Sequence, residues 1–289
     1  MQANQIDKAV EFQRLHTQAG PFVTPNPWDA GSARLLADLG FPALASTGAG
    51  YAFSCGLSDK SVGRRRMMDH LRELVAATRL PVSADLENGF GDTPEAVAAT
   101  IRLAAEAGVV GGSIEDATGK PDAPLYPLSL AVERIQAAVE AARALSFPFV
   151  LTARAENFVV GRPNLDDAIR RLQAYQEAGA DVLFAPGLTQ REEIASVIAS
   201  VDKPVNVMMG GQGMRLSLPE LGTLGVKRIS LGASLARAAQ GELLRAAREI
   251  REAGSFTYTD RAVGARELHR VFSPFQAGTA QRAVTGSQE

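Results

Sequence analysis

Short apolar runs alternate with longer amphipathic stretches along most of the chain. Phe22-Val23-Thr24, Ala43–Thr47, Leu80–Asp85, Gly112-Ser113-Ile114, Phe149–Ala153, Val182-Leu183-Phe184, Pro204–Met208 and Arg228–Leu231 read as strands. Between them, helical periodicity predicts helices from Asp29 to about Leu39, over 62–79, from Pro94 to about Ala107, and over 130–145. Further helices are expected from Asn164 to about Glu177, from Thr189 to about Ser200, after Ser217, and over 234–253. Asp29 or Ser32 is a candidate cap for the first of these, and Gly40 closes it. Residues 1–20 form a lead-in helix with Ile6, Val10, Phe12 and Leu15 as its apolar positions. The stretches Tyr51–Lys60 and 117–127 read as loops.

Strands alternating with helices argue for a parallel sheet. Eight such units in about 240 residues fit a (β/α)8 TIM barrel of the α/β class. A doubly wound open sheet is the alternative. Against it, no G-x-G-x-x-G follows the first strand. The barrel takes residues 1–255. Residues 256–289 form a C-terminal extension with a helix at 261–272 and a small, polar, loose tail from 277. Val263, Leu268, Val271, Phe272 and Phe275 in that extension need cover, from a partner subunit or from the barrel itself, so a homo-oligomer is expected.

Composition narrows the function. The 289 residues are 46% hydrophobic and 21% charged, with a net charge of −2, so no basic field exists for nucleic acid. Arg64-Arg65-Arg66 lies near Asp69 and Glu73, the pattern of a solvated helix face. No apolar run reaches membrane-spanning length and residues 1–10 hold no secretory h-region, so the chain reads as cytoplasmic. Cys55 is the single cysteine, which excludes an intrachain disulfide and argues against a thiolate zinc site.

In a barrel of this kind the active site lies where the strands end. Those ends supply Asn26 and Asp29, Ser46-Thr47-Gly48, Asp85 and Glu87, Glu115 and Asp116, Arg154 and Glu156, Pro186, Asn206, and Gly232. Asp85 and Glu87 are spaced i, i+2, so in a strand they project from one face. Two such carboxylates repel unless a cation lies between them. Oxygen ligands suit a hard divalent ion such as Mg²⁺ or Mn²⁺. The alternative is a pair of acids on a solvated turn. Thr47 and the amides of Gly48 and Ala49 can donate to a carboxylate, and Arg154 can hold an anionic, oxygen-rich substrate. Such a site stabilises negative charge developing on oxygen, as in an enolate. For Arg154 the alternative is a salt bridge to Glu156 or Asp85 that braces the barrel. No histidine falls at a strand end and no lysine inside a strand, which argues against a histidine base, a histidine–zinc centre and a Schiff-base mechanism. Gly210-Gly211-Gln212-Gly213 is either a phosphate cradle or a flexible loop.

Over roughly residues 9–250 the chain resembles the isocitrate lyase/phosphoenolpyruvate mutase superfamily. The resemblance rests on Asn26-Pro27-Trp28-Asp29-Ala30-Gly31-Ser32-Ala33-Arg34, Ser46-Thr47-Gly48-Ala49-Gly50 and Ala84-Asp85-Leu86-Glu87-Asn88-Gly89-Phe90-Gly91. It continues in Gly112-Ser113-Ile114-Glu115-Asp116, Thr152-Ala153-Arg154 and Ala178-Gly179-Ala180-Asp181. It implies a barrel whose eighth helix is exchanged between subunits of a homodimer or homotetramer, a Mg²⁺ or Mn²⁺ cofactor, and chemistry through a pyruvate-like enolate of a small carboxylic acid. It also implies that Asp85 ligates the metal directly, with Glu87, Glu115 and Asp59 acting through water. Thr47, Gly48 and Ala49 become the 2-oxo-acid carboxylate site, Arg154 the residue that steadies the enolate oxygen, and Asn206 part of the pocket lining.

Two departures are visible. Glu87 and Asn88 stand where the superfamily usually has Asp and Thr, and loop 117–127 lacks the cysteine of the isocitrate and methylisocitrate lyases. The resemblance therefore implies first a metal-dependent carbon–carbon lyase or decarboxylase acting on a 2-oxo or 2-hydroxy di- or tricarboxylic acid. Phosphorus–carbon chemistry of the mutase or phosphonopyruvate hydrolase kind, with Lys120 or Asp122 near the phosphoryl group, is the alternative. A non-catalytic barrel that binds a 2-oxo acid, and a barrel without metal, are the others.

Overall fold

A computed structural model describes residues 2–211 and 213–285. Eight parallel strands run β1 (Phe22–Thr24), β2 (Leu44–Ala45), β3 (Val82–Asp85), β4 (Gly111–Glu115), β5 (Val150–Arg154), β6 (Val182–Phe184), β7 (Val205–Met208) and β8 (Arg228–Ser230). They pair in the order β1-β8-β7-β6-β5-β4-β3-β2. The seam between β1 and β2 is closed past the end of β1, by Ala45 N donating to Pro25 O at 3.1 Å and Asn26 Nδ2 donating to Ser46 O at 2.9 Å. This is the (β/α)8 barrel, not the open sheet.

The helices are α1 (Gln2–Thr17), α2 (Ala30–Asp38), α3 (Gly48–Ser54), α4 (Arg64–Ala77), α5 (Pro94–Glu106), α6 (Leu128–Arg143), α7 (Leu165–Glu177), α8 (Arg191–Ala199), α9 (Leu218–Leu224), α10 (Ser234–Ala253) and α11 (Ala265–Thr285). A 3-10 turn, Thr257–Arg261, lies between the last two. Both candidate caps of α2 act together: Asp29 accepts from Ser32 N, and Ser32 Oγ accepts from Asp29 N. Among the described residues no helix is long and apolar enough to cross a membrane.

Four expectations change. Tyr51–Lys60 is not all loop, because Thr47 caps a short helix, α3, that runs on to Ser54. Gln190, not Thr189, precedes α8. In α1, Phe12 and Leu15 are buried with Ala9 against Phe22, Val110, Val150 and Val182, closing the base of the barrel. Ile6 and Val10 fall on the opposite side of that helix and stay exposed. Finally, α11 runs through 277–285, a stretch that had read as loose.

The main core fills the layer between strands and helices, from Met67 and Leu71 round to Leu221 and Ile229. The eighth helix of the barrel, α10, departs from this plan. Of its residues Ala236 alone is buried, and Leu243, Leu244 and Ile250 face solvent. The extension packs back through α11, where Val271 is buried and Arg270 pairs with Asp38 at 2.7 Å.

Candidate active site

Barrel closure gathers side chains from distant segments around a cavity of about 270 Å³ at the strand ends. Thr47, Ala49, Asp59, Asp85, Glu87, Glu115, Arg154 and Asn206 all line it, and so does Lys60. Gly48 lies directly behind, its amide donating to Asp85 Oδ2 at 3.0 Å.

The acidic turn is held by left-handed backbone, not by strand pleat. β3 ends at Asp85, and Glu87 has φ 51°. Gly89 and Phe90 follow at φ 81° and 55°. For a non-glycine residue this conformation persists only where its surroundings impose it, at about 1–3 kcal/mol each. The constraint is Arg134 of α6, nearly inaccessible, which donates to Gly91 O at 2.7 Å and Asp92 O at 2.5 Å, and also to Asn88 O. The turn thus aims Glu87 into the cavity beside Asp85 although Glu87 lies beyond the strand.

Arg154 is the electrostatic centre. It pairs with Asp85 at 2.9 Å, Glu115 at 3.1 Å and Glu156 at 2.9 Å. Both contacts expected of a bracing arginine are present, together with a third. Lys60 reaches Glu115 at 2.6 Å, and despite burial the charge of Glu115 holds its ammonium above the ordinary value. Burial, with repulsion from Asp85, Glu115 and Asp59, pushes the Glu87 carboxyl up to about 7. Its Oε1 is buried with no hydrogen-bond partner. Asp59 is raised by partial burial and by the charge of Asp85. Burial also raises Glu156, against the pull of Arg154.

This donor set fits a hard divalent cation. A Cβ built on Gly48 would lie 3.3 Å from Asp85 Oδ2 and 3.4 Å from Glu87 Oε1, so the bare glycine leaves a gap between two carboxylate oxygens. Among the described residues no three acids converge on one point as they stand. Mg²⁺ ordinarily binds through one or two carboxylates, keeping waters and substrate oxygens as its remaining ligands.

The anion site expected at 47–49 is partly engaged. Thr47 Oγ1 accepts from Gly50 N at 3.1 Å, which leaves its hydroxyl hydrogen to donate. Gly48 N is taken by Asp85, and among the described residues Ala49 N has no acceptor. Asp116 turns the other way. Adjacent strand residues face opposite sides, and Asp116 is buried behind the barrel wall, accepting from Tyr175 Oη at 2.5 Å, Arg171 Nη1 at 3.1 Å and Glu156 N at 2.9 Å. Gly210 and Gly213 do not line the cavity, and Gln212 lies outside the described residues.

Ser230 and Arg228 escaped the sequence reading as lining residues, and Ser46, named there as a strand end, acquires its role here. Ser46 Oγ accepts from Asp85 N at 2.8 Å and fixes the end of β3. Ser230 Oγ accepts from Asn206 Nδ2 at 2.9 Å. Arg228 donates to Asn206 Oδ1 and to Thr152 Oγ1, both at 3.0 Å. Burial and the charge of Arg154 push its guanidinium down to about 9. The available signal was the polar–apolar–polar order Arg228-Ile229-Ser230, which points an arginine and a serine inward if the strand belongs to a barrel.

Residues 12–251 match the family described as phosphoenolpyruvate phosphomutase. A candidate lyase/mutase from Burkholderia cenocepacia J2315 is 62% identical, with a TM-score of 0.92 over 93% of this chain and 98% of that one. Oxaloacetate decarboxylase from Bradyrhizobium diazoefficiens is 32% identical over 67% of each chain. 2-Methylisocitrate lyase from Escherichia coli K12 is 31% identical, again over 67% of each.

Proposed function

The chain belongs to the phosphoenolpyruvate phosphomutase family, and from that premise we propose that it is a Mg²⁺- or Mn²⁺-dependent carbon–carbon lyase or decarboxylase. Its substrate is a small 2-oxo or 2-hydroxy acid carrying further carboxylates, and the reaction passes through a pyruvate-type enolate. One observation carries the reading: Glu87 Oε1, which has no partner, and Asp85 Oδ2, which accepts from the Gly48 amide, flank the gap at Gly48, with Arg154 pairing to Asp85 on the other side. Relatives named oxaloacetate decarboxylase and 2-methylisocitrate lyase support it.

Asp85, Glu87, Glu115 and Asp59 would hold the cation, and the chemistry supplied there would be Lewis-acid stabilisation of negative charge on a substrate oxygen. The Thr47 hydroxyl and the Ala49 amide bind the adjacent carboxylate. Arg154 stands fixed by three carboxylates and donates to the oxygen on which charge develops, a preorganised arrangement that needs no reorientation during the step. Val159, Phe184 and Pro186 form an apolar wall that limits water around that oxygen. Loop 117–127 carries no cysteine, and solvent supplies the proton that quenches the enolate carbon.

Phosphorus–carbon cleavage has less support. Lys120 pairs with Asp92 at 2.9 Å and does not line the cavity. The unburied outer face of α10 supports a homodimer or homotetramer in which this helix packs on a neighbouring barrel.

The test is pyruvate release coupled to lactate dehydrogenase, in Mg²⁺ and in EDTA, against oxaloacetate, alkyl-substituted malates, methylisocitrate and phosphonopyruvate, with enzyme-free controls. Turnover should require metal and fall at least about 100-fold in Asp85→Ala. Turnover that survives EDTA and this substitution sinks the metal–enolate reading. Metal and ligand binding without turnover would instead favour a non-catalytic 2-oxo-acid-binding barrel.

A further inference from the structure

The cavity has a second charged pole, below the acidic rim. The inward positions of a TIM barrel are usually filled by branched apolar side chains. Here Ser83, Ser113, Thr152, Asn206, Arg228 and Ser230 occupy them, and all are buried. Strand register sets Asn206 beside Arg228 and Met208 beside Ser230. Thr152, which receives the Arg228 guanidinium, is one inward position below Arg154 on the same strand.

The two arginines differ in their compensation. Arg154 has three carboxylates within 3.1 Å. Arg228, only 5% exposed, has two neutral acceptors, no carboxylate partner among the described residues, and an Nη1 with no partner at all. An unpaired buried charge is costly to the fold unless something of opposite charge arrives to meet it. The neighbouring groups are donors too. Asn206 Nδ2 is spent on Ser230 Oγ, so the Ser230 hydroxyl keeps its hydrogen for another acceptor. The hydroxyls of Ser83 and Ser113 line the same cavity and have no partner among the described residues.

We infer that this floor is a second anion subsite: Arg228, with the hydroxyl of Ser230, takes the acidic group of the substrate farthest from the metal. The inference rests on the metal–enolate reading and assigns places to the two anionic ends of its substrate, one at the Asp85–Glu87 rim and one on the floor. A distal carboxylate accepts the Ser230 hydrogen and sets its charge against the guanidinium. A distal phosphonate meets the same donors.

Calorimetric binding in Mg²⁺, with pyruvate, L-malate and phosphonopyruvate as probes, tests it. The wild-type protein should bind one of the two-ended acids at least tenfold more tightly than pyruvate, and which one identifies the distal group. Arg228→Met should erase that preference and leave pyruvate affinity within twofold. Ser230→Ala, which removes one hydroxyl from a folded floor, should reduce the preference about threefold, and Arg228→Lys should retain part of it. Equal losses for pyruvate and the two-ended acid in Arg228→Met, or an unchanged preference in Ser230→Ala and Arg228→Met, overturn the inference. Wild-type protein that binds pyruvate with Mg²⁺ but shows no preference for either two-ended acid overturns the floor subsite and leaves the metal–enolate reading standing. Wild-type protein that binds none of the probes overturns both.

Discussion

Replacing Glu87 by Gln separates the stability of this site from its use. In the metal-free protein the Glu87 carboxyl titrates near 7, against 4.5 for a free carboxyl, because it is buried among Asp85, Glu115 and Asp59. A raised carboxyl favours the folded state at low pH. That stability is fully present below about pH 4.5 and is lost as pH rises through about 7, because only the unfolded chain can ionise the group freely. The shift corresponds to about 3 kcal/mol. Glu87→Gln is close in shape and cannot ionise. In EDTA it should be more stable than the wild type by up to about 3 kcal/mol at pH 8 and nearly equal to it at pH 4.5. Reversible urea unfolding at the two pH values measures the gap. In saturating Mg²⁺ the order should reverse, since a ligand that binds only the folded state stabilises it, and the variant has lost one oxygen anion for the cation. A variant no more stable than the wild type in EDTA at pH 8 would refute the reasoning. So would a gap that does not change with pH.

Three further outcomes follow from the packing. Arg134→Met removes the clamp on turn 88–92 and leaves three carbonyls without their donor, and it should cost about 2–4 kcal/mol in urea unfolding and lower kcat more than it raises KM. Gly50→Ala would set a Cβ 2.6 Å from Thr47 Cγ2, so displacement of Thr47 should weaken substrate binding and destabilise α3 by about 1–3 kcal/mol, read from KM and from the denaturation midpoint. Asp92→Ala cuts two of the ties from loop 117–127, Lys120 Nζ at 2.9 Å and Tyr126 Oη at 2.6 Å, yet Asp92 is exposed. Limited proteolysis should then find the loop cleaved severalfold faster while global stability moves by less than about 1 kcal/mol.

Lys60 shows where local reading ends. Its loop gives no hint of a partner, because the partner, Glu115, is 55 residues away and reaches it only after β3 and β4 have paired and the loop has folded over them. Arg228 was hidden for a related reason: a charged residue opening a short strand reads equally as a surface position until the barrel closes. Glu87 was assigned to the cavity side on strand pleat, and it lies there through a left-handed turn held by Arg134 from another helix. Asp116, adjacent to Glu115, was grouped with the site acids and is instead locked behind the wall by Tyr175 and Arg171.

What the sequence by itself determined was the alternation of strand and helix, the barrel that this alternation predicts, and the strand ends at which Asp85, Glu115 and Arg154 stand. These are consequences of hydrophobic periodicity and of turn and cap chemistry, which act over a few residues. Only the tertiary structure decided which charges meet, which carboxyl is raised by burial, and which arginine is left without a counter-charge. Those are properties of desolvation and distance, and both are fixed when segments far apart in the chain are brought around one cavity. The exposed face of α10 belongs to the same class: its amphipathic pattern is legible locally, and only the packed barrel reveals that its apolar residues find no cover there.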